Sequence, residues 1–166
     1  MSVEVFRRLS VFVLLGMMQV LVMSHIHLFG IATPLLYVYF AITFRRNFPR
    51  WAILVSCFAL GLWVDVFSNT PGLAAGTMTL LGFLQPFLLE WFVPRDSVED
   101  LGISMNSLGV GRFVMLSIIM VVLYCLIFFA LEAFTFFNWQ FWLECAGSSA
   151  ALTLLLIFSI EFGRIK

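Results

Sequence analysis

Two long apolar segments are separated by the stretch Gly61-Leu62-Trp63-Val64-Asp65-Val66-Phe67-Ser68-Asn69-Thr70-Pro71-Gly72-Leu73-Ala74-Ala75-Gly76. The first segment begins at Trp51, and the second continues to Val93. Between them lie one acid, several turn-forming residues and two glycines four positions apart, a pattern that predicts a tight helical hairpin. Asp65 follows a long apolar run, so in a membrane it would lie near one face of the bilayer. An ionisable side chain at that depth indicates a functional site.

The composition is typical of an integral membrane protein. Of the 166 residues, 63% are hydrophobic and 11% are charged, whereas an average soluble domain has roughly 25% charged residues. The mean hydropathy is +1.09, and a water-soluble fold of this length has no way to bury so much apolar surface. The formal net charge is zero, which provides no basic surface for nucleic acid. We expect a single transmembrane domain over residues 1–166.

Neither the cysteines nor the N-terminal residues indicate a specific functional site. Cys57, Cys125 and Cys145 lie in apolar stretches at no motif spacing, so we interpret them as small core residues. Arg7 and Arg8 precede an apolar run, as they would in a signal peptide. No convincing small-x-small cleavage site follows Met23 and the rest of the chain is also apolar, so we expect an uncleaved first span.

Six apolar segments predict an all-α bundle of six transmembrane helices. Continuous apolar runs such as 116–123 lack the strict alternation of a membrane β-barrel. The second segment has Pro34 near its start and is short for a ~30 Å hydrocarbon core, so it should thin the bilayer or pack inside the bundle. In the fourth segment, Gln85-Pro86 predicts a kink. The predicted spans are 9–24, 28–44, 51–67, 72–93, 112–137 and 141–162.

The basic residues predict the orientation. With six spans, all nine lie at one membrane face, and the three connections at the opposite face contain none. The positive-inside rule makes the basic face cytoplasmic and places both termini there. The cytoplasmic connection 94–111 is long enough for one short interfacial helix but not for a catalytic domain. The nine residues are Arg7, Arg8, Arg45, Arg46, Arg50, Arg95, Arg112, Arg164 and Lys166.

Asp65 has two alternative roles in the predicted hairpin. In the first role, it makes a buried contact with a partner helix or forms a proton or ligand site. In the second role, it is an interfacial acid that caps the next helix. Asn69, Thr70 and Pro71 after it are typical of caps and turns. Because Asp and Asn cap helices comparably, Asp65→Asn should be tolerated if capping dominates. If the charge itself is needed, Asp65→Asn and Asp65→Ala should fail alike.

Small residues indicate two surfaces for close helix packing. Gly72 and Gly76 form a small-xxx-small step at the start of the fourth span, where another helix can approach closely. Alternatively, Gly72 only serves the turn after Pro71. A second patch of small residues lies in the sixth span, at 146–151.

The remaining polar residues are weaker candidates. His25 and His27, two positions apart, provide too few ligands for a metal and are interpreted as residues at a bilayer edge. Glu132 and Glu144 have no basic partner in the predicted outer connections, so we expect them to face water. The sequence has no Ser/His/Asp set and no Cys-x-x-Cys, and we expect neither enzyme activity nor a cofactor or metal.

The hairpin resembles a motif of the rod shape-determining protein MreD family. That family has Gly-Leu-x-x-Asp and a hydrophobic residue, then a turn and Gly-Leu. The matching stretches here are Gly61-Leu62-Trp63-Val64-Asp65-Val66 and Gly72-Leu73. The chain length, Pro34 in the second span and two cytoplasmic ends also agree with the family.

This resemblance implies a non-enzymatic scaffold in the bacterial inner membrane. MreD proteins lie beside MreC and the MreB filament and help the elongation machinery to place new peptidoglycan in rod-shaped cells. The implied partners are an MreC-like membrane protein, other cell-wall elongation components and the lipid bilayer. The partner-binding or structural site would comprise Gly61, Asp65, Asn69, Pro71, Gly72 and Gly76.

The MreD family is also similar in fold to the substrate-binding membrane subunits of energy-coupling-factor vitamin transporters, which are six-helix bundles. This similarity supplies the alternative function, a small-molecule-binding transport subunit. Such a subunit needs several polar groups that converge on a pocket near the outer face. The candidates are Asp65, Asn69, His25, His27 and Glu132. A lipid-modifying enzyme ranks last because the sequence has no acid/base pair.

Overall fold

The computed structural model describes residues 2–21, 33–45, 48–93, 103–133 and 139–165, and these residues form helices joined by short connections. No strand occurs within the described ranges, so the predicted all-α class is confirmed for them. In chain order the helices are α1 (Ser2–Leu21), α2 (Val38–Ile42), α3 (Arg50–Ser68), α4 (Leu73–Phe92), α5 (Met105–Leu108), α6 (Val110–Ala133) and α7 (Trp139–Ile165).

Four of these helices are long and apolar enough to cross a membrane. They are α3, α4, residues 110–132 of α6 and residues 142–163 of α7, each with 19 to 23 residues. At about 1.5 Å per residue, these lengths match a ~30 Å hydrocarbon core. In α1, the apolar part Arg8–Leu21 is shorter. The chain is therefore an all-helical membrane protein, as its composition predicts, and the count of six spans stays a prediction.

A continuous helix over the second predicted span, 28–44, is wrong for the part that the structure describes. Of residues 33–45, only the five residues of α2 are helical. Pro34 has no N–H group, and the N–H groups of Leu35 and Leu36 bond to side chains of α7 and α1. The buried segment, as we call residues 33–45, packs inside the bundle, which is one of the two outcomes expected for it.

The buried segment lies at the centre of the core. Every residue from Leu35 to Ile42 is at most 6% exposed. Its short helix α2 contacts α1, α3, α4 and α6, so it is enclosed on several sides. The longer helices carry exposed apolar side chains on their outward faces, as a lipid-facing surface requires.

The other predicted boundaries differ mainly at the ends of the helices. α1 begins at Ser2 rather than at residue 9, and α6 begins at Val110 rather than at residue 112. α5 is a short helix of the kind expected in the connection before the fifth span, and α4 continues through Pro86. All three cysteines are buried and free, in agreement with their interpretation as core residues.

Helices α3 and α4 pack as a close antiparallel hairpin, and two glycines make this possible. A Cβ atom at Gly61 would lie 2.5 Å from the Cα atom of Ala75. A Cβ atom at Gly82 would lie 2.9 Å from the Sγ atom of Cys57. Real Cβ contacts are longer than this, so the two backbones approach each other only because no side chain intervenes.

Candidate functional site

The connection from α3 to α4 contains two residues with left-handed backbone conformations. Asn69 has φ 56° and ψ 35°, and Gly72 has φ 85°. Asn occupies this region more readily than most residues with a side chain, and glycine does so without steric cost. Pro71 lies between them, where its fixed φ favours a turn. The predicted tight hairpin is thus present, and these residue types explain why the turn needs only four residues.

Asp65 is buried, with 2% of its surface exposed, and its carboxylate caps the first turn of α4. Oδ1 accepts hydrogen bonds from the N–H of Ala74 at 2.8 Å and from the hydroxyl of Thr70 at 3.0 Å. Oδ2 accepts one from the N–H of Ala75 at 2.8 Å. The N–H groups of a first turn have no partner in their own helix, and the positive end of the helix dipole lies there. A carboxylate therefore stabilises this end of α4.

The backbone of Asp65 also closes the end of α3. Its carbonyl oxygen accepts a hydrogen bond from the N–H of Asn69 and another, at 3.3 Å, from the N–H of Thr70. One residue thus ends α3 through its carbonyl group and begins α4 through its carboxylate. The position before α4, Gly72, has no side chain with which to cap the helix itself.

Gly61 explains the spacing of the hairpin motif. Residues four positions apart lie on the same face of a helix, so Gly61 and Asp65 both face the start of α4. A Cβ atom at Gly61 would lie 2.5 Å from the carbonyl oxygen of Ala74 and equally close to the Cα of Ala75. Gly61 therefore allows the close approach of Ala74 and Ala75, the two residues whose N–H groups bond to the carboxylate of Asp65. A side chain at position 61 would push α4 away from the carboxylate.

Gly76 makes no comparable contact inside the described bundle. It is exposed, and a Cβ atom placed on it would meet no heavy atom within 4 Å. The interpretation of Gly72 and Gly76 as a packing step between helices of the described bundle therefore fails at Gly76. Binding of an external helix is the packing role that stays open for this residue.

A cluster of hydroxyl groups, which the sequence analysis missed, lies beside the first turns of α4. Tyr37, Thr77 and Tyr124 are all buried. The hydroxyls of Tyr37 and Tyr124 are hydrogen-bonded to each other, and the hydroxyl of Thr77 bonds to Tyr124 at 3.1 Å. The cluster connects the buried segment with α4 and α6. Sequence offers only a weak signal for it, because single tyrosines and threonines are common in apolar helices.

Side chains from α1 and α7 satisfy the backbone of the buried segment. The side-chain amide of Gln19 donates to the carbonyl of Pro34 at 2.9 Å and accepts from the N–H of Leu36 at 3.0 Å. The hydroxyl of Thr153 accepts from the N–H of Leu35 at 3.0 Å. These bonds replace those that a continuous helix would supply, which lipid cannot do.

Two further buried polar residues form hydrogen bonds with the C-terminal half of the same segment. The side-chain amide of Gln85 donates to the carbonyl of Phe44 at 3.2 Å. Glu161 accepts from the hydroxyl of Tyr39 at 2.6 Å and from the N–H of Met105 at 3.1 Å. Glu161 was not among the residues predicted from the sequence, although an acid in the last turns of an apolar helix is a signal for a functional or structural site.

Of the five residues proposed for a vitamin-type site, the structure describes Asp65, Asn69 and Glu132, and none of these three lines the cavity described below. Both carboxylate oxygens of Asp65 are occupied by hydrogen bonds, and Asn69 and Glu132 are exposed. His25 and His27 lie outside the described residues. Glu144 is exposed, as expected from the sequence. The described part of the chain also contains no group of three or more His, Cys, Asp or Glu residues suited to a metal ion.

A cavity of about 520 Å³ lies among α1, the buried segment, α7 and the chain just before α5. Arg8 and Arg45 are among its lining residues. None of its lining residues belongs to the site predicted from the hairpin motif. The two regions are therefore separate features of the molecule.

The fold and the hairpin define this chain as an all-helical membrane protein with a tightly capped α3–α4 pair. Comparisons with protein-family models, with curated proteins and with solved structures find no match to the chain. The resemblance to the MreD family therefore stays a prediction from the sequence pattern.

Proposed function

We propose that this protein is a non-enzymatic scaffold of the bacterial cell-elongation machinery. It would lie in the inner membrane with six spans and both termini in the cytoplasm. Its helices would bind an MreC-like membrane protein and so regulate peptidoglycan synthesis and cell shape. The resemblance of the Gly61 to Gly76 stretch to the MreD motif supports this proposal, as does the one-sided distribution of basic residues.

The observation that carries the proposal is an exposed stripe on α4. Gly76, Leu80, Phe83 and Phe87 are all exposed and follow one another at steps of four, three and four residues. This spacing places them on one face of the helix. A glycine at one end of an apolar stripe lets a partner helix approach closely, which is how helices associate in lipid.

The capped hairpin supports the same function by holding this stripe in place. Asp65 and Gly61 fix the start of α4 against α3, and Gly76 lies within the first turns of α4. A surface that is ordered before the partner arrives loses less conformational freedom on binding. Asp65 thus acts on partner binding through α4 rather than by touching the partner.

Substitution of Gly76 tests this function. We expect Gly76→Leu to reduce recovery of the MreC-like partner from membranes and to make rod-shaped cells round, because the larger side chain separates the helices. Leu80→Ala, which shortens a side chain on the same stripe, should disturb partner recovery less. The protein itself should keep its abundance and detergent stability, since no described atom lies within 4 Å of the added Cβ position. Unchanged cell shape and partner recovery for Gly76→Leu would reject α4 as the binding face.

The alternative function, a substrate-binding subunit of a small-molecule transporter, is favoured by the buried segment. Irregular backbone at membrane depth is tolerated where protein encloses it or where it lines a cavity, and transporters often bind substrates at interrupted helices. Substitutions at Asp65 and Gly76 distinguish the two functions. If they spare cell shape and abolish uptake of a small molecule, the transport subunit replaces the scaffold.

A further inference from the structure

The hydroxyl groups of Tyr37, Tyr124 and Thr77 form a hydrogen-bond chain with one direction. A threonine hydroxyl has a single hydrogen to donate, and a carbonyl oxygen can only accept. The shortest contact of the Thr77 hydroxyl is to the carbonyl oxygen of Leu73, at 2.8 Å, which assigns the hydrogen to that bond. Thr77 therefore accepts from Tyr124, and Tyr124 accepts from Tyr37. Every donor in the chain thus points toward the start of α4.

One peptide group extends this chain to Asp65. The carbonyl group of Leu73 and the N–H of Ala74 belong to the same planar peptide unit. That N–H donates to Oδ1 of Asp65 at 2.8 Å. A peptide group that donates on one side is a better acceptor on the other, and hydrogen bonds in such chains strengthen one another by roughly 10–30% each. The carboxylate of Asp65 is thus the final acceptor of a chain that begins at Tyr37, in the buried segment.

All four side chains of the chain are buried, since Tyr37, Thr77, Tyr124 and Asp65 are each at most 2% exposed. In a buried network, the loss of one member leaves a neighbouring donor or acceptor unpaired at a large cost. Asp65 itself bonds only to residues near it in sequence, and Tyr37 lies 28 positions before it. The chain therefore connects two regions that local structure does not connect.

Ring packing adds a second contact between the buried segment and α6. The rings of Tyr37 and Tyr124 meet edge to face, with their centroids 5.6 Å apart. A phenylalanine at position 124 would keep this ring contact and remove only the hydroxyl group. The contribution of the hydrogen-bond chain can therefore be separated from that of packing.

We propose that this chain makes the α3–α4 turn and the buried segment one cooperative unit, in which a change at Asp65 alters the local stability around Tyr37. The physical reason is that the two regions share buried hydrogen bonds whose strengths depend on one another. The unit joins the turn that positions the α4 stripe to the interior of the bundle. It is independent of the scaffold function, because it needs no partner on that stripe.

Hydrogen–deuterium exchange of the purified full chain in detergent tests this proposal. Thr77→Val removes the middle of the chain and should accelerate amide exchange about fivefold, both at residues 69–78 and at residues 33–45, as one lost hydrogen bond does for a local opening. Thr79→Val is the matched control, because the Thr79 hydroxyl bonds to the carbonyl of Ala75 in its own helix. It should change exchange at residues 33–45 by less than about twofold. Equal effects of the two variants there would overturn the proposal.

Asp65→Asn is the remote test of the same unit. It should accelerate exchange at residues 33–45, and this effect should disappear in a Thr77→Val background, where the chain is already interrupted. Tyr124→Phe should reproduce the effect of Thr77→Val while it keeps the ring contact. Faster exchange of the turn alone in Asp65→Asn would overturn the proposal. An equal acceleration over α7 would also overturn it, since that would indicate global destabilisation rather than a local unit.

Discussion

At the scale of single residues, Asp65 and Gly61 work as a pair. The carboxylate binds two backbone N–H groups of α4, and the glycine four positions earlier lets those groups come within reach. Each residue stabilises the hairpin less without the other. The carboxylate of Asp65 can act only if the start of α4 is nearby, and a close contact at Gly61 without the carboxylate would leave the first N–H groups of α4 unpaired. Their spacing in the motif is thus a geometric requirement of the hairpin.

The geometry of this cap changes the outcome expected for Asp65→Asn. Asn has one acceptor oxygen, so its amide group would face an N–H that now bonds to a carboxylate oxygen. We expect Asp65→Asn to cost about 1–2 kcal/mol of stability and Asp65→Ala about 2–3 kcal/mol, because the alanine variant leaves all these donors unpaired. Thermal unfolding in a mild detergent would measure the difference. Equal stability of Asp65→Asn and the unchanged protein would contradict the two-oxygen cap.

Gly61 and Gly76 provide a matched pair of substitutions. Gly61→Ala should destabilise the protein by roughly 1–3 kcal/mol or more, because its Cβ would overlap the backbone of α4. Gly76→Ala adds the same methyl group in open space, so it should be neutral or stabilise α4 by up to about 1 kcal/mol. Denaturation of both variants in parallel measures this. The two-helix contact would be refuted if both variants gave the same shift.

At the scale of elements, the buried segment depends on hydrogen bonds from its neighbours in addition to its own. Gln19, Gln85 and Thr153 come from three different helices and bond to its backbone. In water such an irregular stretch would be solvated, but in lipid each unpaired group costs several kcal/mol. The long helices therefore have a second role, which is to supply polar partners at fixed depths.

Thr153→Val tests this role. The change keeps the shape but removes the acceptor of the Leu35 N–H, so we expect a loss of about 1–3 kcal/mol. The matched control is Thr79→Val, because the hydroxyl of Thr79 bonds only to the carbonyl of Ala75 in its own helix. This control should stay within about 0.5 kcal/mol of the unchanged protein. Chemical denaturation in detergent gives both values, and similar losses for the two variants would argue against a special role for Thr153.

At the scale of the whole molecule, two structural features organise the bundle. The capped hairpin holds the start of α4, and with it the α4 stripe, at the turn that contains Asp65. The buried segment is held to α7 at two points, because the N–H of Thr33 donates to the hydroxyl of Ser149 and the hydroxyl of Tyr39 donates to Glu161.

The six-span orientation is the prediction that belongs to this scale. Reporter fusions after Arg46, Asp96 and Lys166 should be cytoplasmic, because the positive-inside rule retains the basic connections there. Fusions after His27 and Asn69 should be external. Alkaline phosphatase and green fluorescent protein activities at the same positions report the two sides. A fusion after Asn138 is decisive, since a cytoplasmic signal at that position would remove the six-span topology.

The sequence by itself determined the membrane class, the long helices and the hairpin. Apolar runs long enough for a bilayer admit few structures other than helices, and Asn69, Pro71 and Gly72 have backbone preferences that define a turn locally. The placement of α3 and α4 was predictable to within about a residue for the same reason. These are properties of short stretches, which neighbouring residues decide.

Only the tertiary structure decided which polar residues are buried together. Thr77 and Tyr124 meet although 47 positions separate them, and Glu161 meets Tyr39 across 122 positions. The same holds for the broken second segment, because side chains of α1, α4 and α7 bond to backbone groups that its own short helix does not pair. Hydrogen bonds of this kind depend on how the helices cross, and no local pattern encodes that. The motif around Asp65 was visible because its donors and acceptor lie within ten residues of each other.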